Sequence, residues 1–259
     1  MLTLLLLQAA ALANPAVTGP TPADPRDAAC LQRTVDDPAA AKAEAEAYRL
    51  AGGGWRARRC LAAAEAKEAR FPAAAAAFEA AARDAELAKA STEAATLWAQ
   101  AGNGWLAAGE PLKARAALDA ALASGSLKDL ALGEAHLDRA RALVAAGQPT
   151  PARADLDQAV IHAAADPLAW LLSATLARRQ GDLVRAHKDI GEALNRASDD
   201  ANVQLEAGNI ALLQNDEEVA KASWTAAARL APGLPAGVAA TAALAQFGIT
   251  PPPALEPGR

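Results

Sequence analysis

The sequence predicts an all-α fold, a solenoid built from helix-turn-helix pairs. Three observations lead there. The first is a repeat: Ala152, Ala186 and Ala220 recur every 34 residues, as do Leu156, Ile190 and Trp224 and then Ala159, Ala193 and Ala227. The second is composition. Hydrophobic residues make up 53% of the chain, mostly as Ala, and aromatics only 3%. Ala has the highest helix propensity, whereas a sheet wants β-branched and aromatic residues. The third is spacing within a copy. Ala186, Ile190 and Ala193 fall on one face of a helix, because positions three and four apart stack above one another.

In chain order, Met1–Ala13 (MLTLLLLQAAALA) carries no charged side chain and is too short to span a bilayer as a helix. It ends in Ala11-Leu12-Ala13, the small-x-small pattern of a signal-peptide cleavage site. Residues 1–13 therefore read as a signal peptide, which makes the chain periplasmic or secreted. The alternative is a hydrophobic first helix or a mis-assigned start codon. Residues 14–26 are Pro-rich and read as a disordered leader. Residues 27–54 read as a degenerate helix pair: Asp27–Thr34, then a helix opened by Asp37-Pro38 and stopped at Gly52-Gly53-Gly54. No Lys-Ser/Thr follows those glycines, so they stop a helix and do not cradle a phosphate.

Five repeats follow, at 55–88, 95–128, 133–166, 167–200 and 201–234, with Lys89–Glu93 as an insertion and a four-residue offset before Gly133. Gly109, Gly147, Gly181 and Asn215 mark the turn inside the last four. The first helix of each of these must offer a small residue where it crosses the second, and it has Gly102, Ala140, Ala174 and Gly208. Each stands four residues after Trp98, His136, Trp170 or Gln204. Residues 235–247 should form a helix that caps the open end of the stack. Residues 248–259, with Pro251-Pro252-Pro253, read as a disordered tail.

This period, with its Ala-x-x-x-large-x-x-Ala signature, resembles the tetratricopeptide repeat (TPR) family over roughly Trp55 to Leu234, most strongly from Ala95. Trp98 and Trp170 stand where that pattern has its leading Trp, Trp105 where it has Tyr, and Trp224 where it has Phe. Trp170 and Trp224 are accordingly expected in the core. The chain departs from the pattern where the family's Leu becomes Ala101, Arg139, Ser173 and Ala207. The terminal Pro remains only as Pro232, with Pro167 shifted. These departures put the packing between the middle copies in question.

The resemblance implies a right-handed α-solenoid whose concave wall, lined by the first helix of each pair, holds an extended peptide or a partner helix. On that geometry the wall presents Asn103, Leu137, Arg141, Leu171, Thr175, Arg178, Leu205 and Asn209, with Ala99, Leu106, Asp138, Arg179 and Glu206 beside them. The leucines either take partner side chains or pack helices. Arg178 and Arg179 either meet the partner or serve the C-terminal end of their own helix, where positive charge is favourable. Chaperone-binding members clamp a carboxylate with Lys, Asn and Arg. Asn103 and Asn209 are suitably placed here, but the first-helix lysines are absent, so that function is not carried over.

Little else in the chain suggests chemistry. His136, His162 and His187 have no metal-ligand spacing, and no Cys-x-x-Cys, nucleophile elbow or Walker loop occurs. His136 occupies a packing position and is expected to be buried or half-buried. Asp155, Asp157 and Lys188-Asp189 read as solvated surface charge. The net charge of −5 argues against nucleic acid or an anionic membrane as partner. No integral membrane segment, metal or cofactor is expected in the mature chain. Cys30 and Cys60 fall in the first two helix pairs, which touch in a solenoid. They are either a disulfide, which an oxidising compartment permits, or two buried thiols.

The expected function is that of a non-enzymatic scaffold or adaptor that binds a protein or peptide in the bacterial cell envelope. The rivals are a cytoplasmic TPR adaptor and an auxiliary subunit that modulates an envelope enzyme.

Overall fold

The computed structural model describes residues 24–250. The expected signal peptide, nearly all of the leader and most of the tail lie outside the described residues. Thirteen α-helices and no strand occur among the described residues. They are α1 (Pro25–Asp36), α2 (Pro38–Leu50), α3 (Gly54–Lys67), α4 (Phe71–Leu87), α5 (Ser91–Ala107), α6 (Pro111–Ala123) and α7 (Asp129–Ala145). Then follow α8 (Pro149–His162), α9 (Pro167–Arg179), α10 (Leu183–Arg196), α11 (Ala201–Leu213), α12 (Glu217–Leu230) and α13 (Pro235–Ala245). None of the described helices is long and apolar enough to cross a membrane.

Each helix packs on the next, and the contacts that skip one helix run along the odd-numbered set: α1 with α3, α5 with α7, α9 with α11 and α11 with α13. The even-numbered helices scarcely meet one another. The odd-numbered helices from α1 to α11 are the first of each pair, the ones the repeat resemblance puts on the inner wall.

Local sequence explains where the helices begin and turn. Asp37, Asp166, Asp182 and Asp216 accept from the backbone N–H groups of Ala40, Leu168, Arg185 and Val219 at 2.9, 2.8, 3.0 and 3.1 Å. Each thereby satisfies a donor that the first helical turn leaves unpaired. Inside the pairs the chain turns through the left-handed region at Ala69, Gly109, Gly147, Gly181 and Asn215, with φ from 57° to 81°. Ala69 holds that conformation with a Cβ, at a cost of about 1 kcal/mol.

Three sequence boundaries move. Helix α1 begins at Pro25, inside the expected leader 14–26, because Asp24 caps it and proline suits a first helical position. Lys89–Glu93 is not an insertion between helices: Lys89 (φ 59°) turns the chain and α5 begins at Ser91, before the expected Ala95. The extra residues before Gly133 are helical too, since α7 has 17 residues against 13 in α9 and α11. A turn takes about 3.6 residues, so adding one keeps the buried face of α7 in register.

Close approach of helices sets the core. A Cβ on Gly102 would lie 2.5 Å from Cγ of Leu118, and one on Gly208 would lie 2.5 Å from Cδ1 of Trp224. The missing side chains let α5 settle on α6 and α11 on α12. Leu118, Leu156, Ile190 and Trp224 are buried at equivalent places, flanked by buried alanines. Phe247 closes over Trp224 with ring centroids 6.0 Å apart. Trp170 departs from expectation. It is half-buried at the edge of its cluster, donates from Nε1 to the Ala164 carbonyl at 2.8 Å and lies under the Arg196 guanidinium.

The N-terminal pair has little apolar core of its own. Cys30 and Cys60 are joined by a disulfide with a Cα–Cα distance of 6.0 Å, tying α1 to α3. Asp27 forms an ion pair with Arg59 of α3, and burial raises its carboxyl pKa against that attraction. Tyr48 donates to Asp24 at 2.7 Å. Burial and this bond push the Tyr48 hydroxyl pKa up to about 12.

Candidate functional site

The inner wall between α7 and α9 holds an apolar groove. Leu156 and Leu176 are buried at its floor, Val144, Ala145, Leu172 and Thr175 line it, and Arg141 and Arg179 complete the lining. Its volume is about 240 Å3. Another groove, between the N-terminal halves of α3 and α5, is smaller, about 170 Å3, and more polar, with Trp55, Arg59, Thr92, Glu93 and Gln100.

Repeat register explains why the groove opens at this pair. Asp138, Leu172 and Glu206 are equivalent positions on α7, α9 and α11. The flanking copies place a buried carboxylate there, whereas the middle one places a half-buried leucine. Leu172, Val144 and Ala145 were not among the expected wall residues. The signal for the first was this acid-to-leucine change at one repeat position.

The expected wall residues divide into four groups. Arg141 and Thr175 come together in the groove. Asn103 is exposed on α5 and Leu205 half-buried on α11, both outside the groove. Leu137 and Leu171 are not open to a partner. They are only 4% and 9% exposed and pack with Leu156 and Ile190 respectively, because the close helix crossings enclose them.

Arg178 and Asn209 are already engaged. Arg178 grips Glu206 on the next pair through Nε and Nη2 at 2.6 and 3.2 Å. Asn209 accepts from Trp224 Nε1 at 3.1 Å and donates to Glu206 at 3.4 Å. These residues lock α9, α11 and α12 together. Arg141 donates to Asp138 at 2.8 Å within α7. Burial raises the Asp138 pKa, against the lowering pull of Arg141 and Asn103.

A second polar system lies behind the wall, where the family's Leu is missing. Arg139 of α7 reaches Asp155 of α8 and Asp119 of α6, and His136 Nδ1 lies 2.8 Å from Asp155. In the next copy Ser173 donates to Asp189 and accepts from Arg153. Arg185 completes the set with ion pairs to Asp157 and Asp189. Asp155 and Asp189 are therefore not solvated surface charge; both are 3% exposed. Polar partners on the facing helix allow it, since buried charge must be paired and hydrogen-bonded. Burial pushes the Asp155 pKa up, but hydrogen bonds from His136 and Arg139 win and hold it below the ordinary value. His136 is half-buried, in its expected place.

Comparison with known proteins now bears on the fold. No protein-family model matches the sequence, and no curated protein does. Solved structures do match. The pilF protein of Pseudomonas aeruginosa is 16% identical, with a TM-score of 0.66 over 85% of this chain and 97% of its own. PilW, a widely conserved type IV pilus biogenesis factor, is 19% identical, with a TM-score of 0.64 over 83% and 98%. YrrB, a TPR protein with an unusual peptide-binding site, is 19% identical, with a TM-score of 0.59 over 77% and 96%.

The chain has the tetratricopeptide-repeat fold. In this TPR solenoid the groove sits on the inner side of the third and fourth of five repeats. Its apolar lining and two guanidinium groups suit it to binding. No three His, Cys, Asp or Glu residues converge to hold a metal ion among the described residues.

Proposed function

We propose that this TPR solenoid is a non-enzymatic scaffold or adaptor that holds a protein or peptide segment against its inner wall. The observation that carries the reading is the groove between α7 and α9, where apolar side chains lie open beside Arg141 and Arg179. Open apolar surface rimmed by polar groups favours interaction over solvation. The peptide-binding site that YrrB's description mentions supports the reading by analogy of fold.

We place the protein in the bacterial cell envelope. Supporting this are the signal-peptide pattern of Met1–Ala13 and the buried Cys30–Cys60 disulfide, a bond that persists in oxidising compartments. The likeness in fold to a pilus biogenesis factor agrees with it.

A photo-crosslinking residue at Thr175, on the inner wall, and another at Gln158, exposed on α8, test the binding surface in cells. Adducts identified by mass spectrometry are expected from Thr175 and not from Gln158; the reverse pattern would move the surface to the outer face. Intact mass of the purified protein tests export, with the expected mature chain beginning at Asn14. A soluble product that retains Met1 would refute it.

A further inference from the structure

We infer that the groove between α7 and α9 selects an internal, extended peptide segment in which one large apolar side chain lies between two acidic residues. This deepens the proposed function and rests on the inner wall being the binding surface.

Size comes first. At about 240 Å3 the groove is smaller than the usual small-molecule site, which is roughly 300–1,000 Å3. Leu156, Leu176, Val144 and Leu172 surround it with hydrocarbon. The space fits one side chain of the size of Leu, Met or Phe.

Charge supplies the flanks. The lining contains two guanidinium groups and no carboxylate. They stand on opposite walls: Arg141 lies one turn before Ala145 on α7, and Arg179 one turn after Thr175 on α9. Arg179 is exposed and has no ion-pair partner within 4.0 Å among the described residues. Arg141 commits one of its N–H donors to Asp138 and keeps the others. Its exposed neighbours include no second acid in the groove. Arg178, by contrast, is held by two bonds to Glu206. Charge-assisted bonds from guanidinium to carboxylate are among the stronger polar contacts. The chain as a whole carries −5, so it repels acidic peptides in general and leaves this cationic rim as the favourable place for one.

The arrangement calls for an internal segment. A terminal carboxylate can meet one guanidinium, but two cations on opposite sides of an apolar slot call for an acid on each side of the inserted side chain. An extended peptide provides them two residues before and two residues after the inserted side chain, because alternate side chains share a face.

The test uses fluorescence anisotropy with a labelled heptapeptide, Gly-Glu-Ser-Phe-Ser-Glu-Gly, blocked at both ends, which puts both acids on the face of the Phe. The comparison peptides replace both Glu by Lys, replace Phe by Ser, or end in a free carboxylate directly after Phe. Saturable binding is expected for the first, with at least tenfold weaker binding for the other three. Arg179→Glu should weaken the first at least tenfold, and Arg179→Lys should keep most of it. Ala145→Trp, at an exposed position on α7, should fill the groove and abolish binding with helicity intact.

Equal binding of the Lys or Ser peptide would overturn the proposal, as would Arg179→Glu and Ala145→Trp both leaving binding unchanged. A terminal-carboxylate peptide that binds as well as the first would overturn the internal-segment reading. Absence of binding by any peptide while Thr175 still crosslinks a partner overturns the chemistry proposed here and leaves the inner wall as the binding surface. Loss of the Thr175 crosslink removes that surface itself.

Discussion

Arg139 and Asp155 form a bidentate ion pair across α7 and α8, with Nε and Nη2 of Arg139 2.9 and 2.6 Å from the two carboxylate oxygens. Nη1 of the same guanidinium reaches Asp119 of α6 at 3.0 Å. One side chain thus ties three helices across the boundary between two copies. The position is one where the repeat pattern carries Leu, so an ionic tie replaces an apolar contact.

Removing one partner should cost more than removing both. Arg139→Ala leaves Asp155 buried beside only His136, and is expected to destabilise the middle copies by about 3–5 kcal/mol. Replacing Arg139 and Asp155 together by Leu should recover much of the loss, because well-packed apolar residues often match a buried ion pair. Urea unfolding followed by helicity gives both values. Equal losses in the single and double variants would mean that the pair does not carry the contact.

The same pair sets a pH dependence. The Asp155 pKa is depressed in the folded protein. Its contribution is therefore present above the unfolded value, about 3.9, and is lost as pH falls through the folded value. The stability advantage of the native protein over Asp155→Asn should shrink as pH falls below about 4. An advantage that grows below about pH 4 would contradict the assignment.

The two tryptophans should differ. Trp224 is 2% exposed and fills the space between α11, α12 and α13, so Trp224→Ala is expected to cost about 3–5 kcal/mol. Trp170 keeps part of its ring in solvent, and Trp170→Ala should cost distinctly less. Denaturation curves monitored at the C-terminal copies separate them. Equal costs would show that Trp170 is packed as deeply as Trp224.

Glycine positions give a paired test. A Cβ at Gly133 would lie 2.6 Å from the backbone N of Ala163, whereas one at Gly191 meets nothing within 4 Å. Gly133→Ala must push α7 from the end of α8 and should cost about 1–3 kcal/mol. Gly191→Ala, in mid-α10, should stabilise by about 0.5–1 kcal/mol, since Ala loses less backbone entropy than Gly in a helix. Thermal melts of both variants check the opposite signs.

Reduction should act on one end of the molecule. Cys30 and Cys60 are 30 residues apart in sequence, and a loop of that length contributes about 3–4 kcal/mol on the chain-entropy model. With so few other buried apolar groups around it, the first helix pair should unfold on reduction while α5–α12 remain helical. Hydrogen exchange resolves the two regions, and unchanged protection in α1 and α2 would show that the bond is dispensable.

The all-α solenoid was legible because its signals are local. Gly147, Gly181 and Asn215 announce their turns, Asp166 and Pro167 announce a helix start, and the recurring alanines mark the crossing face. The site was only partly legible. Arg141 and Thr175 were placed on the inner wall by the repeat resemblance and line the groove, but Leu137 and Leu171, which belong to the same stripe of sequence, are enclosed by neighbouring helices. A leucine at a repeat position reads the same whether a partner or a helix covers it.

What the sequence by itself determined is the period, the turns and the places where two helices must come close, since each depends on spacings within one copy. Only the tertiary structure decided which charges are spent. Asp155 and Asp189 read as surface residues until α7 and α9 bring Arg139 and Ser173 against them. Arg178 and Arg179, adjacent in sequence, part company because a helix advances by about 100° per residue. One turns toward Glu206 of the next repeat and is held. The other turns into the groove and remains open.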